Sequence, residues 1–394
     1  MKKKLNNLDY SILIPFLILL GIGMVMIYSS SSYILLVNNL SPFAYLTKQL
    51  MWVVVSLVLG FISFRVKLST LKNPKIIILS LGISWILMLF LAGIKFLAPK
   101  SIVRLFEVNG AVGWIPLGPF TIQPVEIAKF ALILYLAYIF NKRTNRLTKK
   151  VIRNELFGPI VIATSFFVLA LVQPDMGGAA ILAVISLSLF TVSGISAKRM
   201  FSINVGLILF LIMSVALLVK WNPDFLQGSY AYMRILAFLH PFQLKATQGA
   251  QLVNSYYAIY NGGFFGVGLG NSIQKRGALP EPYTDFIMSV ITEELGLIGA
   301  LVVLGLLFYL IWRLMHTGLH ASDKFNSLIC YGFATTILIQ TIFNIGAVVG
   351  LLPITGVTLP FISYGGSSLA ILTVGIGLCL NISSYEKSLK EKKR

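Results

Sequence analysis

Charge is what this sequence has least of. Only 11% of its 394 residues are Asp, Glu, Lys or Arg, against roughly 25% in an ordinary soluble domain, too few to cover a water-facing fold of this length. Cysteine is nearly absent. Cys330 and Cys379 both lie in apolar stretches, without the spacing of a disulfide framework or zinc site, and read as inert buried thiols. His240, His316 and His320 show no ligand spacing, and no metal-binding motif is identifiable. Acids number 13 against 32 bases, a net charge of +19. That surplus is not a nucleic-acid footprint, because the bases sit in short segments between apolar runs and form no single patch. These scarcities exclude a soluble enzyme, a disulfide scaffold and a nucleic-acid binder.

Hydrophobic residues make up 57% of the chain, with a mean hydropathy of +0.86. Their runs of about 17–25 residues match a hydrocarbon core about 30 Å thick. The pattern predicts an all-α polytopic membrane protein with ten spans: 11–36, 49–66, 76–94, 124–140, 156–172, 178–195, 200–219, 286–312, 326–349 and 367–384. The first apolar run is too long for a signal peptide and lacks a small-residue cleavage site, so it reads as the first span. Most Lys and Arg fall at the two termini and in the loops on the same side, such as 141–155. The positive-inside rule therefore places both termini in the cytoplasm, with 385–394 a basic tail on a single domain, 1–394.

The loops assigned to the other side, 96–123, 173–177, 220–285 and 350–366, hold most of the Gly, Pro and aromatic punctuation and several isolated acids. Loops of such length are uncommon unless functional. The 220–285 segment is the largest, and its 230–262 part looks irregular enough for a folded cap. No inverted repeat of the transporter kind is evident.

Several constellations within these loops carry chemistry. Glu281 and Asp285 flank Pro282 just before an apolar span. Thr284 or Asp285 could cap that helix, or a carboxyl here could serve as a general base with its pKa raised by partial desolvation. Glu293 and Glu294, two turns further along, need partners or a polar cavity. Pro124 suits a first helical turn, and Glu126 and Lys129 share one face at i, i+3. They form either a buried ion pair or the charged wall of a cavity for an anionic head group. Arg234, Lys245, Lys275 and Arg276 are either ordinary loop charge or a site for pyrophosphate. Gly365, Gly366, Ser367 and Ser368 are either a helix start with close packing or part of a cavity wall, the one place where irregular backbone is tolerated near membrane level. Asp175, in Gln173-Pro174-Asp175, reads as a turn residue.

Four strings, LGPFTIQPVEIAK (117–129), QPDMGGAAIL (173–182), LPEPYTDFIMSVITEELG (279–296) and LLPITGVTLPFISYGGSSL (351–369), occur in this order along most of the chain. Together they resemble the SEDS family of bacterial cell-wall polymerases, named for shape, elongation, division and sporulation. The stretch GLGNSIQKRGALPEP is more similar to the division members than to the elongation members, and the sporulation members are close to the former. The resemblance implies ten transmembrane helices and a peptidoglycan glycosyltransferase acting on lipid II at the outer face of the cytoplasmic membrane, at the division septum. In that reaction the 4-hydroxyl of a GlcNAc attacks the anomeric carbon of a lipid-linked MurNAc, undecaprenyl pyrophosphate leaves, and configuration inverts. Asp285 matches the family's proposed catalytic aspartate and is expected to be the general base. Glu126 and Lys129 match an important pair in the fourth span, and Ser363 to Ser368 a cavity-lining string. Arg234, Gln251, Lys275 and Glu281 complete the expected cavity set, with Trp114, Gln123, Pro124, Asp175, Glu293 and Glu294 supporting it.

A class B penicillin-binding protein and other divisome membrane proteins are the implied partners. No cofactor is evident, although a divalent cation (Mg or Mn) could act with the substrate pyrophosphate. Three departures from the family pattern concern phosphate recognition or its surroundings. Val112 and Gly113 stand where arginines are usual, with Arg104 a conceivable substitute. Lys245 and Ala246 stand near an expected Asp-Pro pair, and Tyr283 where His is frequent. A lipid II transporter, an elongation-type polymerase and a non-enzymatic division scaffold are the alternatives.

Overall fold

A computed structural model of the chain describes residues 4, 6–108, 110–118, 120–142, 149–192, 230–247 and 249–393, with isolated positions between 193 and 229. The helices are α1 (Tyr10–Val37), α2 (Ala44–Arg65), α3 (Pro74–Leu97), α4 (Pro124–Lys142), α5 (Lys149–Val172), α6 (Met176–Val192), α7 (Tyr230–Leu239), α8 (Ala250–Gly262), α9 (Ile287–Leu319), α10 (Lys324–Val348) and α11 (Gly366–Lys393), plus short helical links at Leu68–Leu71 and Lys100–Phe106. Among the described residues, α1, α2, α3, α4, α9, α10 and α11 are long and apolar enough to cross a membrane, and Leu156–Val172 and Met176–Val192 are shorter apolar helices. These nine fall where spans were expected; of the tenth expected span, 200–219, only isolated positions are described.

Burial sorts the helices by role. The central α4 and α11 are mostly enclosed, whereas α1, α2, α3 and α9 turn residues such as Ile14, Val54, Ile78 and Leu301 outward. Helices that are apolar on every side suit lipid on one face and protein on the other. Close packing without a hydrophobic driving force calls for small residues. Where α11 crosses α2, a β carbon on Gly377 would collide with Ser63 Oγ and the Gly60 carbonyl, and Ser63 Oγ donates to the Val374 carbonyl at 3.0 Å. Side-chain caps fix the helix starts. Asp9 accepts from Ser11 N at 3.3 Å, Asn73 from Lys75 N at 3.0 Å and Asp323 from Phe325 N at 2.9 Å, each satisfying an otherwise orphaned amide. Asp9 also pairs with Arg313 at 3.2 Å and accepts from Ser383 Oγ at 2.6 Å, joining α1, α9 and α11 at the end that carries the termini.

The long loops are more ordered than their composition suggested. Segment 107–122 forms two antiparallel hairpins, β1 (Glu107–Val108) with β2 (Ala111–Val112) and β3 (Ile115–Leu117) with β4 (Phe120–Ile122). Most of the 230–262 stretch, expected to be irregular, is instead helical, with α7 and α8 joined by turns. Leu252, Val253, Ser255, Ala258 and Gly262 form the buried stripe of α8, a helical spacing hidden by its many Tyr, Asn and Ser residues. The chain after α8 then sinks beside α9. Gly296 breaks α9 with φ 70 and ψ −174, a backbone open to glycine. The segment after α8 supplies the missing bonds: Val267 N and Gly268 N donate to the carbonyls of Glu293 and Glu294 at 2.9 and 3.0 Å, and Leu297 N to Gly263 O at 2.9 Å. Irregular backbone is thus enclosed in protein, as a membrane bundle requires.

Candidate active site

Loops 96–123, 173–177 and 350–366 converge at one end of the bundle around a cavity of about 330 Å³. Trp114, Gln123, Glu126, Lys129, Asp175, Arg234, Glu281, Asp285, Gly365, Gly366, Ser367 and Ser368 all line it, so twelve of the expected site residues meet in one place. Asp285 stands on the short segment before α9. Neither it nor Thr284 caps the helix: Phe286 occupies the cap position without a side-chain bond, and Thr284 Oγ1 turns back to Glu281 Oε2 at 3.0 Å.

The backbone that presents Asp285 is held at three successive carbonyls. Tyr364 N donates to Tyr283 O at 2.9 Å, Ser363 Oγ to Thr284 O at 2.7 Å, and Asn344 Nδ2 to Asp285 O at 2.8 Å. Arg234 of α7 lies near the carboxyl. A β carbon built on Gly356 would lie 3.5 Å from Arg234 Nη1 and 3.6 Å from Asp285 Oδ2, so both charged groups border this glycine. Burial raises the Asp285 carboxyl to a pKa of about 6, with Glu281 adding to the rise and Arg234 opposing it. Gly356 has φ 76, and an L side chain in that region costs about 1–2 kcal/mol. Gly356→Ala is expected to lower activity beyond that stability loss, because its methyl would touch both Arg234 Nη1 and Asp285 Oδ2; thermal unfolding and turnover measured on one preparation separate the effects.

Deeper in, Lys129 Nζ and Glu126 Oε1 form an ion pair at 2.7 Å with both side chains almost wholly buried. Gln123 Nε2 donates to Asp175 Oδ2 at 3.0 Å, while Asp175 Oδ1 accepts from Gly178 N at 2.7 Å. Asp175 is therefore the start of α6 as well as part of the cavity, and burial raises its pKa while the Gly178 amide and Lys129 work against the rise. Glu126 Oε2, Gln340 Oε1 and Thr355 Oγ1 are buried and make no hydrogen bond among the described residues; all three residues line the cavity. Its mouth is aromatic. Tyr45 stacks on Tyr283 at 4.6 Å and lies 5.1 Å from Tyr364, and the Trp52 ring occupies the space that a β carbon on Gly366 would need.

Other expected site residues lie elsewhere. Lys275 does not face the cavity: its Nζ is buried against Glu294 Oε1 at 2.6 Å and Ser29 Oγ at 3.0 Å. A carboxylate enclosed in the bundle demands a cation, and Lys275 satisfies that demand. Glu293 accepts from Ser272 Oγ, from Asn261 Nδ2 at 3.2 Å and from the amides of Ile273 and Gln274. The adjacent acids thus anchor the 271–276 loop. Gln251 is a partly exposed residue of α8 outside the cavity lining, and Pro124 opens α4. Ser363 is buried beneath the wall, accepting from Leu359 N at 2.9 Å. Lys245, Arg276 and Arg104 are exposed and do not line the cavity, so of the four outer cations only Arg234 reaches it. Val112 is enclosed in β2. The sequence reading missed Tyr45, Trp52, Gln340, Asn344, Thr355 and Tyr364. Polar residues in apolar helices were the available signal for Gln340 and Asn344, whereas nothing local marks the aromatics.

A mostly helical membrane bundle with a half-enclosed, charged cavity at one end is the class that this fold and site define. A family model for cell cycle proteins of the FtsW, RodA and SpoVE type matches residues 10–388, and the chain belongs to that family. It is 41% identical to the probable peptidoglycan glycosyltransferase FtsW of Lactococcus lactis subsp. lactis, over 98% of this chain and 94% of that one. It is 33% identical to the stage V sporulation protein E of Bacillus subtilis, over 98% of this chain and all of the relative. Among solved structures, a chain from a peptidoglycan synthase complex that coordinates polymerization and crosslinking superposes with a TM-score of 0.74 at 25% identity, covering 96% of this chain and 98% of that one. The rod shape determining protein RodA of Thermus thermophilus shares the fold with a TM-score of 0.66 at 24% identity, over 95% and 96% of the two chains.

Proposed function

We propose that this protein is a peptidoglycan glycosyltransferase that polymerises lipid II at the division septum, with its cavity on the outer face of the membrane. One observation carries the reading: a carboxyl, Asp285, that borders Gly356 together with Arg234 in a half-enclosed polar cavity. Asp285 takes the proton of the acceptor's 4-hydroxyl as that oxygen attacks the anomeric carbon of the donor. The bond from that carbon to the pyrophosphate oxygen breaks, undecaprenyl pyrophosphate leaves, and the configuration inverts. Arg234 keeps the base ionised and supplies positive charge beside the reacting atoms. A Mg or Mn ion would be held chiefly by phosphate oxygens, because no group of three or more His, Cys, Asp or Glu among the described residues could hold a metal. The chain acts as one domain, 1–394, with the 385–394 tail in the cytoplasm. Its partners are a class B penicillin-binding protein and other divisome proteins, a reading supported by the relatives named FtsW and the likeness to a synthase complex.

The test is polymerisation of lipid II by the purified protein with its transpeptidase partner, read as glycan chains on a gel. Absence of product together with protein-dependent movement of labelled lipid II across liposomes would make it a transporter. The rate is also expected to follow a single acid limb with a midpoint near 6, the pKa of Asp285. Below it the base is protonated and kcat/KM falls; above it the rate levels off. For stability the sign is opposite. A raised carboxyl pKa favours the protonated folded form, so this group's contribution is present below its unfolded value of about 4 and is lost as pH rises through about 6.

A further inference from the structure

Asn344 lies in the apolar α10, is 2% exposed, and takes no part in the cavity lining. Its side-chain nitrogen donates to Asp285 O at 2.8 Å and to Val357 O at 2.9 Å, while its buried oxygen has no hydrogen-bond partner among the described residues. Only the donor half of the amide is used, on two carbonyls from different loops. One carries the carboxyl; the other follows Gly356, the glycine that both Asp285 and Arg234 border. An apolar side chain of equal size would leave two buried carbonyls unpaired, and an aspartate would set a carboxylate against them.

We propose that Asn344 is a positioning residue, whose amide holds the Asp285 backbone to the Gly356–Val357 wall and so fixes the carboxyl near the Arg234 guanidinium. The inference rests on the reading of Asp285 as the base, but its own content is geometric. Tyr364 N and Ser363 Oγ hold the two preceding carbonyls, so Asn344 controls the last link before the carboxyl. Without it, the Asp285 end of the segment can move away from Arg234 while residues 283 and 284 stay in place. The charged groups that act on Asp285 are Arg234 and Glu281, with Glu126, Lys129 and Asp175 lining the same cavity.

The experiment uses full-length Asn344→Leu and Asn344→Asp, each with the transpeptidase partner, in lipid II polymerisation across pH 4.5–9, with Asp285→Asn alongside. Both Asn344 variants are expected to lose kcat by about 10²-fold, the scale of a displacement near 1 Å, with KM little changed. Their acid limb moves to higher pH, because a carboxyl drawn away from Arg234 loses the cation that favours its charge. Loss of rate with the limb unmoved, or a wild-type rate, overturns the proposal. So does failure of both variants to fold, which would make Asn344 a folding residue. An Asp285→Asn protein with wild-type turnover and limb removes the base assignment itself; a wild-type Asn344→Leu profile beside an inactive Asp285→Asn removes only the positioning role.

Discussion

Asp285→Asn is expected to leave a folded membrane protein whose lipid II polymerisation is down by about 10³-fold, in the range for loss of a general base. The substitution keeps the shape of the side chain and the backbone bonds at residues 283–285, because those bonds come from Tyr364, Ser363 and Asn344 to main-chain carbonyls. It removes only the proton acceptor. Burial already opposes ionisation of this carboxyl, so the amide relieves a desolvated charge, and the melting temperature is expected to hold or rise. That pairing of lost turnover with retained stability identifies a functional group held at a cost to the fold. Any residual rate should lack the acid limb near 6. A scaffold would behave differently: cells would divide normally on Asp285→Asn, and the purified protein would show no lipid II turnover in either form.

Asp285 was legible in the sequence because two chemistries crowd one string, an acid beside Pro282 at the mouth of an apolar run. Spacing alone favoured the helix-cap reading, and the family resemblance pointed to the base; the cap reading fails for a reason outside the string, since the segment is fastened to residues 363–364 and Asn344, some 60–80 positions later. The spans were legible because hydrophobic length is a local property. Lys275 was misplaced because sequence gives the number of cations near a site but not which acid each one reaches, and Glu294 claims it. Gln340 and Asn344 escaped notice since a lone amide in an apolar helix resembles any satisfied polar group of a bundle. The aromatic mouth of Tyr45, Tyr283 and Tyr364 joins three separate segments, and no periodicity connects them. Arg234 was one of four comparable cations, and only folding selects it.

Lys129→Ala is expected to be the most damaging substitution for the fold, costing about 3–5 kcal/mol, as when one partner is removed from a buried pair. The sequence left two roles open for Glu126 and Lys129, a structural pair or a charged cavity wall, and the structure supports both. The pair is buried at 2.7 Å, yet Glu126 Oε2 makes no hydrogen bond among the described residues and both residues line the cavity. A double variant, Glu126→Gln with Lys129→Met, distinguishes the roles. Replacing both charges removes the orphaned carboxylate, and apolar or neutral replacements of a buried pair are often no less stable than the pair itself. The double variant should therefore recover most of the unfolding temperature lost by Lys129→Ala. Recovery of polymerisation along with stability would make the pair a structural tie. The open oxygen on Glu126 argues for the other result, in which the double variant is stable and bound to its partner but stays at least about 10²-fold slow, the cost of misplacing a reacting group.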